Sequence, residues 1–206
     1  MFLFTGAKLT TIGTGGPNRV ELTGILMKNY FLKSETVGLR GLLPEDAAPP
    51  YLNWLNDEDV CRGNSHHRWP YGPAQAGEFI AATATDTKNL VLAIEVIESG
   101  EHIGNIALQS IDPIHRSAEL SILIGSRASW GKGYGREAAA LLIRHGFQEL
   151  NLVRIACGTP DYNEGMIKLA LALGMKEEGR KRSAFFKGGQ YHDIVLFALL
   201  ASELAP

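Results

Sequence analysis

The chain has 206 residues, 45% of them hydrophobic and 20% charged, with a formal net charge of −2. That length fits one domain with a sizeable core. So small a net charge gives no broad basic field for duplex nucleic acid or an anionic membrane, which leaves small molecules or local protein segments as partners. Two cysteines, Cys61 and Cys157, follow no ligand or disulfide spacing and fit a reducing cytoplasm. No run reaches the roughly 18 to 20 apolar residues of a membrane span, and the start lacks the basic, apolar and small-residue regions of a signal peptide. A cytoplasmic protein is expected.

Residues 1–35 are rich in Gly and Thr, and "TIGTGGPNR" reads as turn or unstructured chain. This stretch is expected to be an extension: flexible, a short ordered arm, or the product of a start placed upstream of Met27. The domain is expected over 36–206. "TVGLRGLL" reads as a strand and "PEDAAPPYLNWLNDEDV" as a helix with an acidic first turn, broken or restarted at Pro49 and Pro50. "CRGNSHHRWPYGPAQ" is a loop, "AGEFIAATATD" a short helix and "NLVLAIEVI" a strand. "HIGNIALQSID" and "SAELSILIGS" are two more strands joined by "PIHR".

Ala139, Ile143, Gly146, Phe147 and Leu150 fall on one stripe, so residues 135–150 form an amphipathic helix. "LVRIACGT" is a strand, "NEGMIKLALAL" a helix stopped by Gly174, and "QYHDIVLFALL" a final strand. The order is strand, helices, three strands, helix, strand, helix, strand. It predicts a single α/β domain with an antiparallel meander feeding strand–helix–strand units.

One hexapeptide, GKGYGR, sets Gly131, Gly133 and Gly135 at alternate positions where a strand gives way to a helix. Glycine costs backbone entropy, so such a cluster marks unusual backbone angles or a close approach. A helix N-terminus offers unpaired N–H groups and a positive dipole end, and Lys132 and Arg136 add charge; together they point to a phosphate. A mononucleotide P-loop does not fit, because the Lys-Ser/Thr pair is missing. The dinucleotide fingerprint places Arg136 where a small residue must let helix and strand pack, and it falls too late in the chain.

"WGKGYGREA" resembles the acyl-CoA pyrophosphate loop of the GNAT N-acetyltransferase superfamily, with Gly133 and Gly135 at the two small positions and Trp130 where Gln or Arg is more general. It is similar to the branch holding the ribosomal-protein-alanine and spermidine acetyltransferases. "VGLRGLLPEDAAPPYLNWLND" and "HIGNIALQSIDPIHRSAELSILIG" resemble that branch's first strand and helix and its meander, and the likeness runs from about Val37 to Leu200.

The resemblance implies a mixed central sheet with helices on both faces, in which two neighbouring strands splay and a pantetheine arm pairs near Ile122 and Ile124. It implies a pyrophosphate held by Trp130, Gly131, Lys132, Gly133, Tyr134, Gly135 and Arg136, and a pantetheine bond from Asn163, which also reads as a helix N-cap. The implied chemistry is direct acetyl transfer from acetyl-CoA to a primary amine, with no metal. Glu119 matches the family's catalytic glutamate and would take the amine proton; its other reading is a surface carboxylate paired with Arg116. An oxyanion donor is expected near Leu123.

Relatives carry a Tyr where this chain has Ala170, and some a Ser where it has Met166, so the acid is open between Tyr162, Tyr191 and solvent. The acceptor, a protein N-terminal amine or a small amine such as a polyamine, amino sugar or antibiotic, is expected among the first helices, the His66, His67, Arg68 and Trp69 loop, and "FFKGGQYHD". His115 and Asp193 are expected near the same cleft, Asp193 also as a strand anchor. A homodimer is plausible for the branch. Two other functions stay open: a silent acyl-CoA-binding module, separated from an enzyme by thiol release, and a nucleotide-dependent oxidoreductase, separated by NAD(P) binding.

Overall fold

The computed structural model describes residues 29–204, so most of the expected extension, including "TIGTGGPNR" and Met27, lies outside the described residues. Strands β1 (Leu32–Lys33), β2 (Val37–Gly41), β3 (Leu90–Val96), β4 (Glu101–Asp112), β5 (Ser117–Ile124), β6 (Arg154–Pro160), β7 (Lys176–Lys187) and β8 (Gln190–Leu200) build one sheet. Its order is β1-β2-β3-β4-β5-β6-β8-β7. Every pairing is antiparallel except that of β5 with β6. The helices are α1 (Tyr51–Leu55), α2 (Pro73–Thr83), α3 (Tyr134–Gln148) and α4 (Glu164–Ala172). None of the described helices is long and apolar enough to cross a membrane.

The helix expected over 44–60 is a 3-10 turn, Pro44–Ala47, and the five-residue α1, divided at Pro49 and Pro50 as the missing N–H of proline requires. Two strands are additions. β7, "KEEGRKRSAFFK", is an edge strand whose side chains are nearly all exposed, so it carries no apolar alternation to read. It hairpins with β8 through Gly188 and Gly189, whose φ of 59° and 79° suit a tight turn. β1 pairs with β2, and beside it Tyr30 Oη donates to Glu95 while Phe31 sets its ring edge-on to His145. The described end of the extension is thus docked on the sheet. Leu150, assigned to the buried stripe of α3, is exposed, because that helix ends at Gln148.

Alternation in the strands sends side chains to two cores. On one face Ala118 and Leu120 of β5 and Ile155 of β6 pack against Ala138, Ala139, Leu142 and Ile143 of α3. On the other, Leu123 meets Tyr51, Trp54, Leu55 and Ala76. Helices therefore cover both faces, as expected. Glycine sets the approach at two places: a Cβ on Gly146 would stand 2.9 Å from Ile155 Cδ1, and one on Gly125 would stand 1.9 Å from the Trp54 ring.

An ion network ties the first strands to the second core. Arg40 reaches Glu95 at 2.7 Å through Nε and binds both oxygens of Asp46, at 2.7 and 2.9 Å. Asp46 also faces His102 Nδ1 at 3.3 Å. Burial alone would raise the Asp46 carboxyl, but Arg40, His102 and the Leu43 N–H together hold it well below the usual carboxylate range.

Two expected outcomes concern stability. Gly125→Ala should lose about 1–3 kcal/mol in urea unfolding as Trp54 is displaced, whereas Gly41→Ala, with nothing within 4 Å of the added carbon, should change little. Asp46→Asn should cost roughly 3 kcal/mol at neutral pH, since Arg40 loses its bidentate partner. Because the folded carboxyl binds its proton later than the unfolded one, this stabilisation is present above about pH 4 and fades as pH falls below it. The gap between wild type and variant in unfolding titrations should narrow in that direction.

Candidate active site

Pairing between β5 and β6 stops after Glu119 and Ala156, while β6 stays paired with β8 as far as Pro160. The carbonyl of Arg116 accepts from Val153 and Arg154, so by alternation the peptide groups of Leu120, Ile122 and Ile124 face β6. With the last pair at Glu119, those of Ile122 and Ile124 face a gap. Those of Leu123 turn to β4, opposite Asn105, so of the strand amides near Leu123 the ones that face the gap belong to Ile122 and Ile124.

The glycine loop closes one end of this gap. Gly131 and Gly133 have φ of 72° and 88°, with nothing within 4 Å of an added Cβ. Gly133 is the N-cap of the 15-residue α3 and has no side chain to satisfy the helix's first N–H groups. Among the described residues, the backbone N–H groups of 131–135 donate to no protein acceptor. Gly135 does a different job: an added Cβ would lie 3.5 Å from Ile122 Cδ1, so the helix rests against β5. The Trp130 indole N–H donates to the Ile124 carbonyl at 2.7 Å, pinning the loop to the strand.

From this loop a groove of about 640 Å3 runs to Gly63 and Asn64, lined also by Arg62, Arg136 and Lys168. Its carboxylate, Asp59, is engaged by Arg127 at 2.9 Å. Lys168 pairs with Glu164 at 2.9 Å, but open glycine backbone, unbonded amides and Arg62 and Arg136, which have no salt bridge among the described residues, together fit a pyrophosphate, and the gap-facing peptide groups fit an amide-bearing arm. Among the described residues no group of three or more His, Cys, Asp or Glu gathers as a metal site.

A second cleft, about 630 Å3, lies on the α1–α2 face and shares Gly63, Asn64, Ile122 and Leu123 with the groove. Tyr51, Tyr71, Phe79 and Phe185 wall it, with Asn105, Gln109 and Ser121 along the sheet. Tyr51 is fixed by stacking on His102 and by edge contacts with Trp54 and Tyr71. Burial first, then Tyr71, pushes the Tyr51 hydroxyl well above its ordinary range.

Glu119 shares its face of β5 with Ser121 and stands opposite Gln109, both of which line the cleft. It is exposed at the cleft's edge. Arg116, its alternative partner, instead binds the backbone and side-chain oxygens of Asn151 at 2.8 and 2.6 Å. The charge of Glu119 adds to burial in pushing the Cys157 thiol up to about 12.

Asn163 N-caps α4, accepting from Met166 N at 3.3 Å, and it also lines the groove. Tyr162 donates to the Arg62 carbonyl at 2.8 Å and packs edge-on to His192, beside Asn163. Tyr191 is elsewhere: it sits beside Phe186 in the β7–β8 hairpin, 69% exposed, and lines neither cavity. Of the four loop residues only His66 lines the cleft, and Trp69 is 84% exposed. His115 lies in the exposed β4–β5 turn, and Asp193 accepts from Ser183 N at 2.8 Å, a strand anchor.

Sequence reasoning named the segments that wall the cleft but singled out neither Gly63 nor the wall residues Tyr51, Tyr71, Phe79 and Phe185. A Cβ on Gly63 would come within 2.3 Å of Asn163 Nδ2, so this glycine lets the α1–α2 loop close on α4. The signal was a glycine in a polar loop; its partner lies a hundred residues away.

A model of the acetyltransferase (GNAT) domain matches residues 36–176. The uncharacterized N-acetyltransferase p20 of Bacillus licheniformis is 37% identical over 113 residues, 55% of this chain and 63% of its own length. The spermidine N(1)-acetyltransferase of Escherichia coli K12 is 35% identical over 104 residues, 50% of this chain and 55% of its own. The chain thus spans little more than half the length of these relatives. The crystal structure of spermidine N-acetyltransferase from Vibrio cholerae in complex with CoA and spermine superposes with a TM-score of 0.74 at 26% identity, covering 82% of this chain and 98% of that one. With its splayed strands, its glycine loop and more than half of its length matched by the domain model, the chain belongs to the GNAT acetyltransferase family.

Proposed function

We propose that the protein is an N-acetyltransferase that moves acetyl from acetyl-CoA to a primary amine by direct attack. The observation that carries this reading is the gap between β5 and β6, with unbonded loop amides at one end and an open cleft at the other. Acetyl-CoA supplies an activated carbonyl and a thiolate leaving group. The amides of 131–135, with Arg136 and Lys132, hold the pyrophosphate, and the gap-facing groups of Ile122 and Ile124 pair with the pantetheine arm. Trp130 positions the loop through Ile124. Asn163 presents its amide to the same arm.

An amine reaching the gap through the cleft arrives protonated and cannot attack until it loses that proton. Glu119 accepts it: the carboxylate has no ion-pair partner among the described residues and sits next to the cleft residues Gln109 and Ser121. A gap-facing N–H, from Ile122 or Ile124, polarises the carbonyl. Tyr162 is the acid we retain for the thiolate, because it adjoins the groove residues Arg62 and Asn163 whereas Tyr191 lies out in the β7–β8 hairpin.

Glu119→Gln should lower kcat by about 10² to 10⁴-fold in a thiol-release assay, with CoA affinity from calorimetry unchanged. Gly133→Ala should fold, since nothing crowds the added carbon, yet weaken CoA binding about tenfold as the left-handed residue relaxes. Thiol release unaffected in the glutamine variant would remove Glu119 as the base. CoA binding without release on any amine would leave the binding-module reading instead.

A further inference from the structure

The lining of the amine cleft is specific enough to exclude one class of acceptor. None of its residues is Asp, Glu, Lys or Arg; its polar atoms belong to Asn, Gln, Ser, Tyr and His side chains. A polyamine carries ammonium groups beyond the reacting nitrogen, and each needs a carboxylate or water once it enters. Glu119, at the edge, is a single carboxylate, and the reacting nitrogen uses it.

The electrostatics behind the wall run the same way. Lys187 Nζ is held at 2.7 Å from the His66 carbonyl, directly behind that part of the lining, with no carboxylate within salt-bridge range among the described residues. Its charge, after loss of surrounding water, depresses the His66 pKa, so the local field disfavours a positive group. Arg68 lies close by, bonded to the Phe186 carbonyl at 2.9 Å.

Aromatic walls can hold ammonium groups over their faces, but Tyr51 and Phe185 each already carry a neighbour on one face. His102 stacks on Tyr51 at 6.4 Å, and the Arg68 guanidinium already sits over Phe185 at 5.8 Å. What the rings still offer is apolar surface, with Phe79, Val91 and Ile194 continuing it.

Building on the acetylation reading above, we infer that the acceptor is a primary monoamine on an aromatic or aliphatic body, its reactive nitrogen its one cation, and not a polyamine. This departs from the acceptors named for the spermidine N-acetyltransferase relatives.

The test compares hexylamine with 1,6-diaminohexane, and 2-phenylethylamine with spermidine, by calorimetric binding to the CoA-saturated protein and by thiol release from acetyl-CoA. The expected result is that each monoamine binds at least about tenfold tighter than its polyamine counterpart. Gln75→Glu, which keeps the acceptor that caps α2 at Gly72 N, should bring 1,6-diaminohexane up by about the same factor. Equal or tighter binding of the diamine or spermidine to the wild type overturns the inference, as does a failure of both monoamines to bind. Monoamine preference in binding with no thiol release from any amine upholds the acceptor class and overturns acetyl transfer.

Discussion

A strand that loses its neighbour halfway along leaves peptide groups that must bond to something, and that constraint organises this protein. β5 keeps β4 along its length but β6 only as far as Glu119. Buried N–H and C=O groups without partners are costly, so the gap has to be hydrated or filled by a ligand that presents amides in strand-like order. One carbonyl is already answered from within, by the Trp130 indole at Ile124. The groups of Ile122 and the N–H of Ile124 are left for a ligand.

The features around the gap follow from keeping it open. α3 packs against β5 at Gly135 and against β4 and β6 at Gly146, which places its N-terminus at the mouth. α4, capped by Asn163, holds the far side, where Gly63 lets the α1–α2 loop come close. β8 keeps β6 paired over the length where β5 has left it, so β6 does not collapse into the space. The Arg40–Asp46–His102 network fixes Tyr51, and through it the back of the amine cleft, to strands that do not border the gap.

Much of the frame was legible because its signals are local. The apolar run of "NLVLAIEVI", alternation in "SAELSILIG", the spacing of Ala139, Ile143 and Gly146, and the three loop glycines each report on a few consecutive residues. The positive φ at Gly131 and Gly133 bears out the argument that glycines so placed need a backbone reason. β7 was illegible because an edge strand with both faces in water has no period to show. The splay was not in the pattern at all: β5 reads as one continuous strand, and only pairing, which joins residues 117–119 to 154–156, reveals where it parts. Tyr191 failed for the converse reason. It is near the motif in sequence but faces out from a hairpin that alternation turns away from the cleft.

The amine cleft illustrates how far a family fold constrains its chemistry. The loop and the gap need amides and glycines, which are backbone properties, and these persist while side chains elsewhere change. The cleft is built from side chains that alternate on β4, β5 and β8 or project from α1 and α2, so its polarity can change with no cost to the gap. Here the groups that reach it are rings and amides, and the cations Arg68 and Lys187 stand behind them on backbone oxygens. On the proposed reading, a carboxylate at a position that lines the cleft alone, such as Gln75, would alter which amine enters while leaving the loop and the gap backbone in place. Acceptor choice and acyl transfer are on that reading separable, joined at Glu119, which borders the cleft.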